Sequence, residues 1–310
     1  MTPEGRPSHP ICGAMWMHER LREIDPGLRA RRAALKERVR ESVASGEAMS
    51  ITGQLVTIPT VVHVVYHTDE ENISEEQIAS QIGALNRDFR AQNDDRSKVP
   101  EVWQGLVTDA NIEFQLASQD PEGNATNGIT RTETEREGFA TERDPVKREE
   151  DGGIAPWPTD RYLNLWVCNL AGGLLGYAQF PGGPPETDGV VILYTAFGTT
   201  GVARKPYDLG RTATHEVGHF LNLFHIWGDS DDCSGSDEVS DTPGAAAPNY
   251  GKRTFPNITC NNAPNGDMFV NYMDYSDDDS MFMFTAGQVL RMNAALATER
   301  AALAGLGQPT

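Results

Sequence analysis

No stretch of this sequence approaches the roughly 20 apolar residues that a membrane-spanning helix needs, so no span is expected. The opening Met1–Pro7 has no apolar h-region, and no signal peptide is visible in it. Positive charge is scarce. Lys and Arg number 26 against 45 Asp and Glu, a net charge of -19. A phosphate backbone would be repelled, which argues against a nucleic-acid partner. The same acidity keeps a protein soluble and would attract cationic substrates. Internal repeats are absent, and cysteines number only four. Cys233 and Cys260 flank a loop rich in Gly, Pro, Asn and Asp, as a stapled excursion would. Cys168 ends the apolar run Leu163–Cys168, where it reads as a buried free thiol. Cys12 stands alone near the N-terminus.

What is present is enough for a real core. A chain of 310 residues, 38% hydrophobic, accommodates one domain with an extension or two modest domains. Residues 14–45 read as basic and helical, followed by a linker from Gly46. The β-branched run Val61–Tyr66 reads as a strand. Ser74, followed by Glu76 and Gln77, opens a helix to about Asn93 with Ile78, Ile82, Leu85 and Phe89 at helical spacing. Further strands are expected near 111–117, 127–132, 161–170 and 189–194, with a turn at Gly172-Gly173 leading into a short edge strand. A second long helix is expected from an N-cap near Asp208, and a last one over about 285–303.

The chemistry concentrates in His215-Glu216-Val217-Gly218-His219-Phe220-Leu221-Asn222-Leu223-Phe224-His225. His215 and His219, four apart, share one helix face with Cβ atoms roughly 5–6 Å apart, so both imidazoles can reach one zinc. Glu216 projects beside the metal and can take a proton from the attacking water. On an uninterrupted helix His225 would lie roughly 15 Å from His215 along the axis and point elsewhere. The chain must therefore turn sharply, and Asn222, in mid-gap, is well suited to the left-handed conformation that does this. Three imidazoles also suit copper or nickel; zinc is expected from the chemistry.

This run, together with Asn271-Tyr272-Met273-Asp274-Tyr275, resembles the metzincin metallopeptidases, and within them the pappalysin (M43, cytophagalysin/ulilysin-like) family. The resemblance covers roughly residues 55–300. It also rests on Ile226-Trp227-Gly228-Asp229, on Ser236–Pro243, and on Met281-Phe282-Met283-Phe284-Thr285. Asn222 replaces the usual Gly. The resemblance implies an α+β metzincin fold: an N-terminal subdomain (about 56–219) with a twisted mixed sheet and helices, and an irregular C-terminal subdomain (about 220–310) with a Met-turn and a final helix. Met273 would form the floor beneath the zinc ligands, and Tyr275 would stabilise the oxyanion. Cys233 and Cys260 match a family disulfide, while a second would need cysteines near Lys252 and Ser280 and is missing.

The resemblance also implies calcium in the acidic segment Asp229–Thr242, through Asp237, Asp241 and the carbonyls of Val239 and Thr242. Asp279, six residues after Met273, would select a basic side chain, giving cleavage before Arg, with Lys second. Cys12-Gly13 resembles a cysteine switch, making residues 1–55 a removable helical pro-segment and the enzyme a zymogen. The expected activity is zinc endopeptidase hydrolysis of extracellular proteins or peptides, with the substrate paired to the edge near 173–178. A secreted location follows from the resemblance. Two rivals remain at this point: a non-proteolytic zinc/calcium-binding module, and a zinc hydrolase of non-peptide amides. An intact Glu216 disfavours the first.

Overall fold

Residues 11–46, 48 and 53–305 are described by a computed structural model of the protein. Seven strands form a mixed sheet: β1 (Ile11–Cys12), β2 (Val56–Tyr66), β3 (Ile112–Leu116), β4 (Ile129–Glu133), β5 (Leu163–Cys168), β6 (Leu174–Ala178) and β7 (Val190–Leu193). The order is β1-β6-β7-β5-β2-β3, and β4 pairs with the second half of β2 where β3 leaves off. Strand β2 starts at Val56, five residues before the β-branched run that identifies it. Its early residues alternate in burial and pair with β3. Strands β2, β5 and β7 run parallel, and β6 alone is antiparallel to its neighbour β7.

Helices are α1 (Ala14–Ile24), α2 (Leu28–Ser45), α3 (Glu75–Phe89), the single turn α4 (Glu101–Gln104), α5 (Arg211–Phe220) and α6 (Ala286–Ala297). The basic N-terminal helix expected over 14–45 is two helices. It breaks at Asp25-Pro26-Gly27, because Pro26 disfavours a helical residue before it and the Asp25 side chain accepts from the Gly27 N–H (3.0 Å). Ser74 does cap α3, accepting from the Gln77 N–H. The cap of α5 is Gly210 at φ 78°, not Asp208; the chain enters that helix through a left-handed residue and needs glycine there. Helix α6 opens on a Thr285–Gln288 capping box and stops at Ala297, short of the expected end.

Helices α3 and α5 contribute Ile78, Leu85, Phe89, Ala213, Val217 and Phe220 to the main core, with Ile58, Val62, Leu165 and Ile192 from the sheet and Tyr272, Met273 and Phe284 from the C-terminal part. A second core involves other sheet residues: Trp166, Cys168, Leu174, Tyr177 and Val191 pack with Met17, Leu21 and Leu28 of the N-terminal helices. Cys168 is the buried free thiol that its apolar surroundings predict. Mixed strands with helices on the sheet and a loop-rich C-terminal part make this the expected α+β architecture.

Candidate metal centre and active site

Helix α5 carries His215 and His219 one turn apart, both buried. Its C-terminus is closed by Leu221 and Asn222, whose N–H groups donate to the carbonyls of Val217 and His219, and Asn222 stands at φ 76°. The sharp turn required between the second and third histidines is therefore made at the residue expected to make it. It brings His225 back, so that the Nε2 atom of His219 lies 3.0 Å from that of His215 and 3.1 Å from that of His225.

Each ring is fixed by its other nitrogen. Nδ1 of His215 meets the Tyr272 carbonyl (2.7 Å), that of His219 the Leu223 carbonyl (2.8 Å), and that of His225 the Asp229 carboxylate (2.6 Å). With Nδ1–H donated, all three Nε2 lone pairs point at one spot, which is the donor arrangement a tetrahedral zinc uses. Burial, followed by the neighbouring His225, lowers the His215 pKa to about 3 and holds that of His219 well below the usual imidazole range, so both rings are neutral as ligands must be. Trp227 stacks on His225 (4.3 Å, 9°) and holds the third ring flat. The Cys12 thiol completes the group: the ligand atoms of Cys12, His215, His219 and His225 all lie within 4.8 Å of one another. No other convergence of three or more His, Cys, Asp or Glu ligand atoms occurs among the described residues.

Glu216 is buried beside this cluster, and neither of its carboxylate oxygens has a partner of good hydrogen-bond geometry. Burial pushes its pKa up to about 8, partly offset by the adjacent Cys12 thiol. A buried carboxylate without donors is costly in a purely structural role. Beside three convergent imidazoles it fits a metal-assisted general base.

Met273 is fully buried and packs against Gly218, which lies between the first two histidines of the run. A Cβ on Gly218 would meet the Met273 Sδ at 2.5 Å, so glycine in the middle of the zinc run is what lets the floor approach. The turn is pinned residue by residue. Asn271 exchanges hydrogen bonds with Gln288 (2.8 and 2.9 Å), and Asp274 accepts from the Asn249 N–H (2.8 Å) and side chain (2.8 Å). Tyr272 donates to Asp88 (3.1 Å), which also accepts from Thr214 (2.7 Å) and pairs with Arg211 (3.0 Å). The Tyr275 hydroxyl reaches the Cys12 carbonyl at 3.4 Å.

The sequence reading missed Asp229 as the orienting partner of His225, and the buried Asp88–Arg211 pair. Asp229 could have been found: it lies four residues after a candidate ligand. Asp88 could not, because nothing local ties it to Arg211, 123 positions on.

The free edge of β6 is occupied. Strand β1 pairs with it in parallel, and the Gly13 N–H donates to the Gly176 carbonyl (2.8 Å). A cavity beside Glu216 is lined by Leu175, Tyr207, Thr212, Asp278 and Met281. Asp278 is fully buried. One of its oxygens accepts from the Leu209 (2.8 Å) and Arg211 (3.2 Å) N–H groups, and the other has no partner. Asp279, the residue expected to select basic side chains, is largely exposed and ion-paired with Lys252. That pair joins nearly the two positions where the second family disulfide is missing.

Cys233 and Cys260 are disulfide-bonded. In the acidic loop, Asp237 accepts from the Thr242 hydroxyl (2.7 Å) and the Val239 N–H (3.0 Å). Asp241 instead faces the start of α6, accepting from Thr285 (2.7 Å) and the Gly287 N–H (2.8 Å).

Comparison with known proteins agrees with this geometry. Residues 148–297 match the family model of peptidase M43, described as pregnancy-associated plasma protein-A. An extracellular metalloprotease of Podospora anserina is 31% identical over 292 residues, 91% of this chain and 87% of that one. Another, of Arthroderma otae, is 30% identical over 261 residues, covering 82% and 83%. Among solved structures, promirolysin of Tannerella forsythia, as a mutant, matches at TM-score 0.87 and 47% identity over 96% of this chain and 99% of its own. Mature mirolysin in complex with a cleaved peptide matches at TM-score 0.76 and 55% identity, covering 77% and 90%. No described helix is long and apolar enough to cross a membrane. The three-histidine centre, its Met-turn floor and these relatives together place the chain in the M43 pappalysin family of metzincin metalloendopeptidases.

Proposed function

We propose that this metalloendopeptidase is a secreted zymogen that cleaves proteins or peptides before Arg, and less well before Lys, with Glu216 as general base. The observation that carries the reading is the convergence of Cys12 with His215, His219 and His225 beside a buried, unpartnered Glu216. His215, His219 and His225 would hold the zinc, which when bound supplies a Lewis acid for the scissile carbonyl and for the attacking water. Glu216 takes the proton of that water and returns it to the leaving amine. The Tyr275 hydroxyl donates to the oxygen that gains charge. The edge of β6 aligns the substrate backbone once β1 has left.

Latency follows from the same contacts. Residues 1–55 are the pro-segment in this reading, with Cys12 on the position that the reaction needs open. The matches to the two forms of mirolysin support it, since coverage of this chain falls from 96% for the pro-form to 77% for the mature form. The remainder, 56–310, is the catalytic domain, divided near residue 219. Basic selectivity rests on the acidic pair after the Met-turn: Asp278, with a free oxygen in the cavity beside Glu216, and Asp279, held by Lys252. Calcium would sit at Asp237 with the carbonyls of Val239 and Thr242, and Asp241 would join by leaving Thr285. A rise in melting temperature with added calcium, lost in Asp237→Asn, is the check on that site.

The deciding experiment is the cleavage profile of the processed enzyme on a peptide library, beside Glu216→Ala. Cuts before Arg that vanish in Glu216→Ala support the proposal. Unchanged hydrolysis in that variant removes Glu216 from the mechanism, and cuts without Arg enrichment remove the selectivity claim. Asp278→Asn and Asp279→Asn then show which carboxylate reads the side chain.

A further inference from the structure

The residue that departs from the family pattern, Asn222, has a side chain with a use. Its amide oxygen accepts a hydrogen bond from the Arg32 guanidinium at 2.9 Å, and the same Arg32 nitrogen donates to the Pro181 carbonyl at 3.1 Å. The guanidinium carbon lies 5.3 Å from the Phe180 ring centre and 5.8 Å from that of Phe224. Two acceptors and two aromatic faces form a box for one planar cation. Arg32 comes from α2, whereas every wall of the box belongs to the part of the chain that carries the zinc motif. Phe180 is in turn 5.2 Å from the ring of His219, so the box adjoins the metal centre.

The box is no general cation trap. Arg291 donates to the Asn222 carbonyl (2.7 Å) and lies over Phe224 (4.7 Å), so a second guanidinium is already beside it. Burial and then Arg291 lower the Arg32 pKa to about 10. Glu238, paired with Arg291 at 3.1 Å, offsets part of that repulsion, and directed hydrogen bonds and ring faces hold Arg32 in place. Glycine at 222 would make the same left-handed turn and offer no side-chain oxygen.

The geometry points to a guanidinium-binding site made by Asn222, Pro181, Phe180 and Phe224, which anchors the pro-segment through Arg32 independently of Cys12. The inference rests on the latency reading above and deepens it. The turn that places the third zinc ligand is also the point at which the inhibitory segment is recognised. One anchor closes the metal, and the other holds the helix that follows.

The test uses the full chain carrying Glu216→Ala to stop self-processing and Cys168→Ser to leave one free thiol. The rate at which a thiol reagent modifies Cys12 in the zinc-loaded protein reports release of the pro-segment and does not depend on peptide hydrolysis. Arg32→Ala and Asn222→Gly should each raise that rate about tenfold or more, the size expected for a lost hydrogen bond to a charged group. Together they should add no more than about twofold to the larger single effect, because both remove one contact. Arg32→Lys should recover only part of the parent behaviour, since one ammonium nitrogen can make both hydrogen bonds but cannot lie as a planar cation against the Phe180 and Phe224 rings. Unchanged rates in the single variants, or fully multiplicative effects in the pair, would overturn the anchor. Cys12 that reacts at full speed in the parent protein would overturn the latency reading itself.

Discussion

The catalytic part and the N-terminal segment are built by different means. The main core, which packs α3, α5 and the Met-turn on the sheet, contains no residue from positions 11–46. The N-terminal segment owns no core. It lends Met17, Leu21 and Leu28 to one cluster and Leu35 and Val39 to another, and is otherwise attached by a two-residue strand and polar contacts. Helix α2 shows this best. Most of its surface is charged and exposed, and it bridges to the C-terminal part through Lys36–Glu238 and Arg38–Glu299. The first region is held by its own core, the second at a few points on the surface of the first.

That contrast can be broken or sharpened by substitution. The largest effect is expected from Cys12→Ser in the intact chain, which should show peptidase activity before any cleavage, at least about 100-fold above the parent. A silent Cys12→Ser chain would mean that the remaining contacts suffice to block the cleft. Next is Leu28→Ala, which empties a fully buried site at a cost of about 2–5 kcal/mol. It should speed thiol-reagent access to Cys12 in the intact chain and leave untouched the melting temperature of a protein lacking residues 1–55. Gly218→Ala acts on the other region. Its new Cβ collides with Met273, and about 1–3 kcal/mol of stability should be lost in calorimetry of both forms. The smallest effect belongs to Lys36→Ala. An exposed pair contributes about 0–1 kcal/mol, and raising the ionic strength should mimic the substitution.

The two regions also differed in how far the sequence disclosed them. In the catalytic part the chemistry is local. Eleven consecutive residues contain three convergent histidines, a carboxylate beside them and a turn, and the steric need at Asn222 can be worked out from helix rise alone. Helix α3 was legible from Ser74 and its apolar spacing. What escaped was long-range: Asp88 meeting Arg211 and Tyr272, Asn249 meeting Asp274, and the start of β2 at Val56, which depends on β3 beside it. In the N-terminal segment the helical tendency is plain in the composition, and Pro26-Gly27 is the local signal for the break between its two helices. The role of Arg32 was invisible, because one arginine among many is distinguished only by the box it enters. Asn222 shows the limit well. Its backbone role was deducible from position, and its side-chain role only from a partner 190 residues away.

Latency as proposed requires Cys12 to be the fourth ligand beside His215, His219 and His225. Cobalt(II) replacing the zinc in the intact chain reports this directly, since a bound thiolate gives a near-ultraviolet sulfur-to-metal charge-transfer band that imidazoles do not. The band should be present in the intact protein and absent both from Cys12→Ser and after removal of the pro-segment. A spectrum without that band, or one that Cys12→Ser leaves unchanged, would contradict the account.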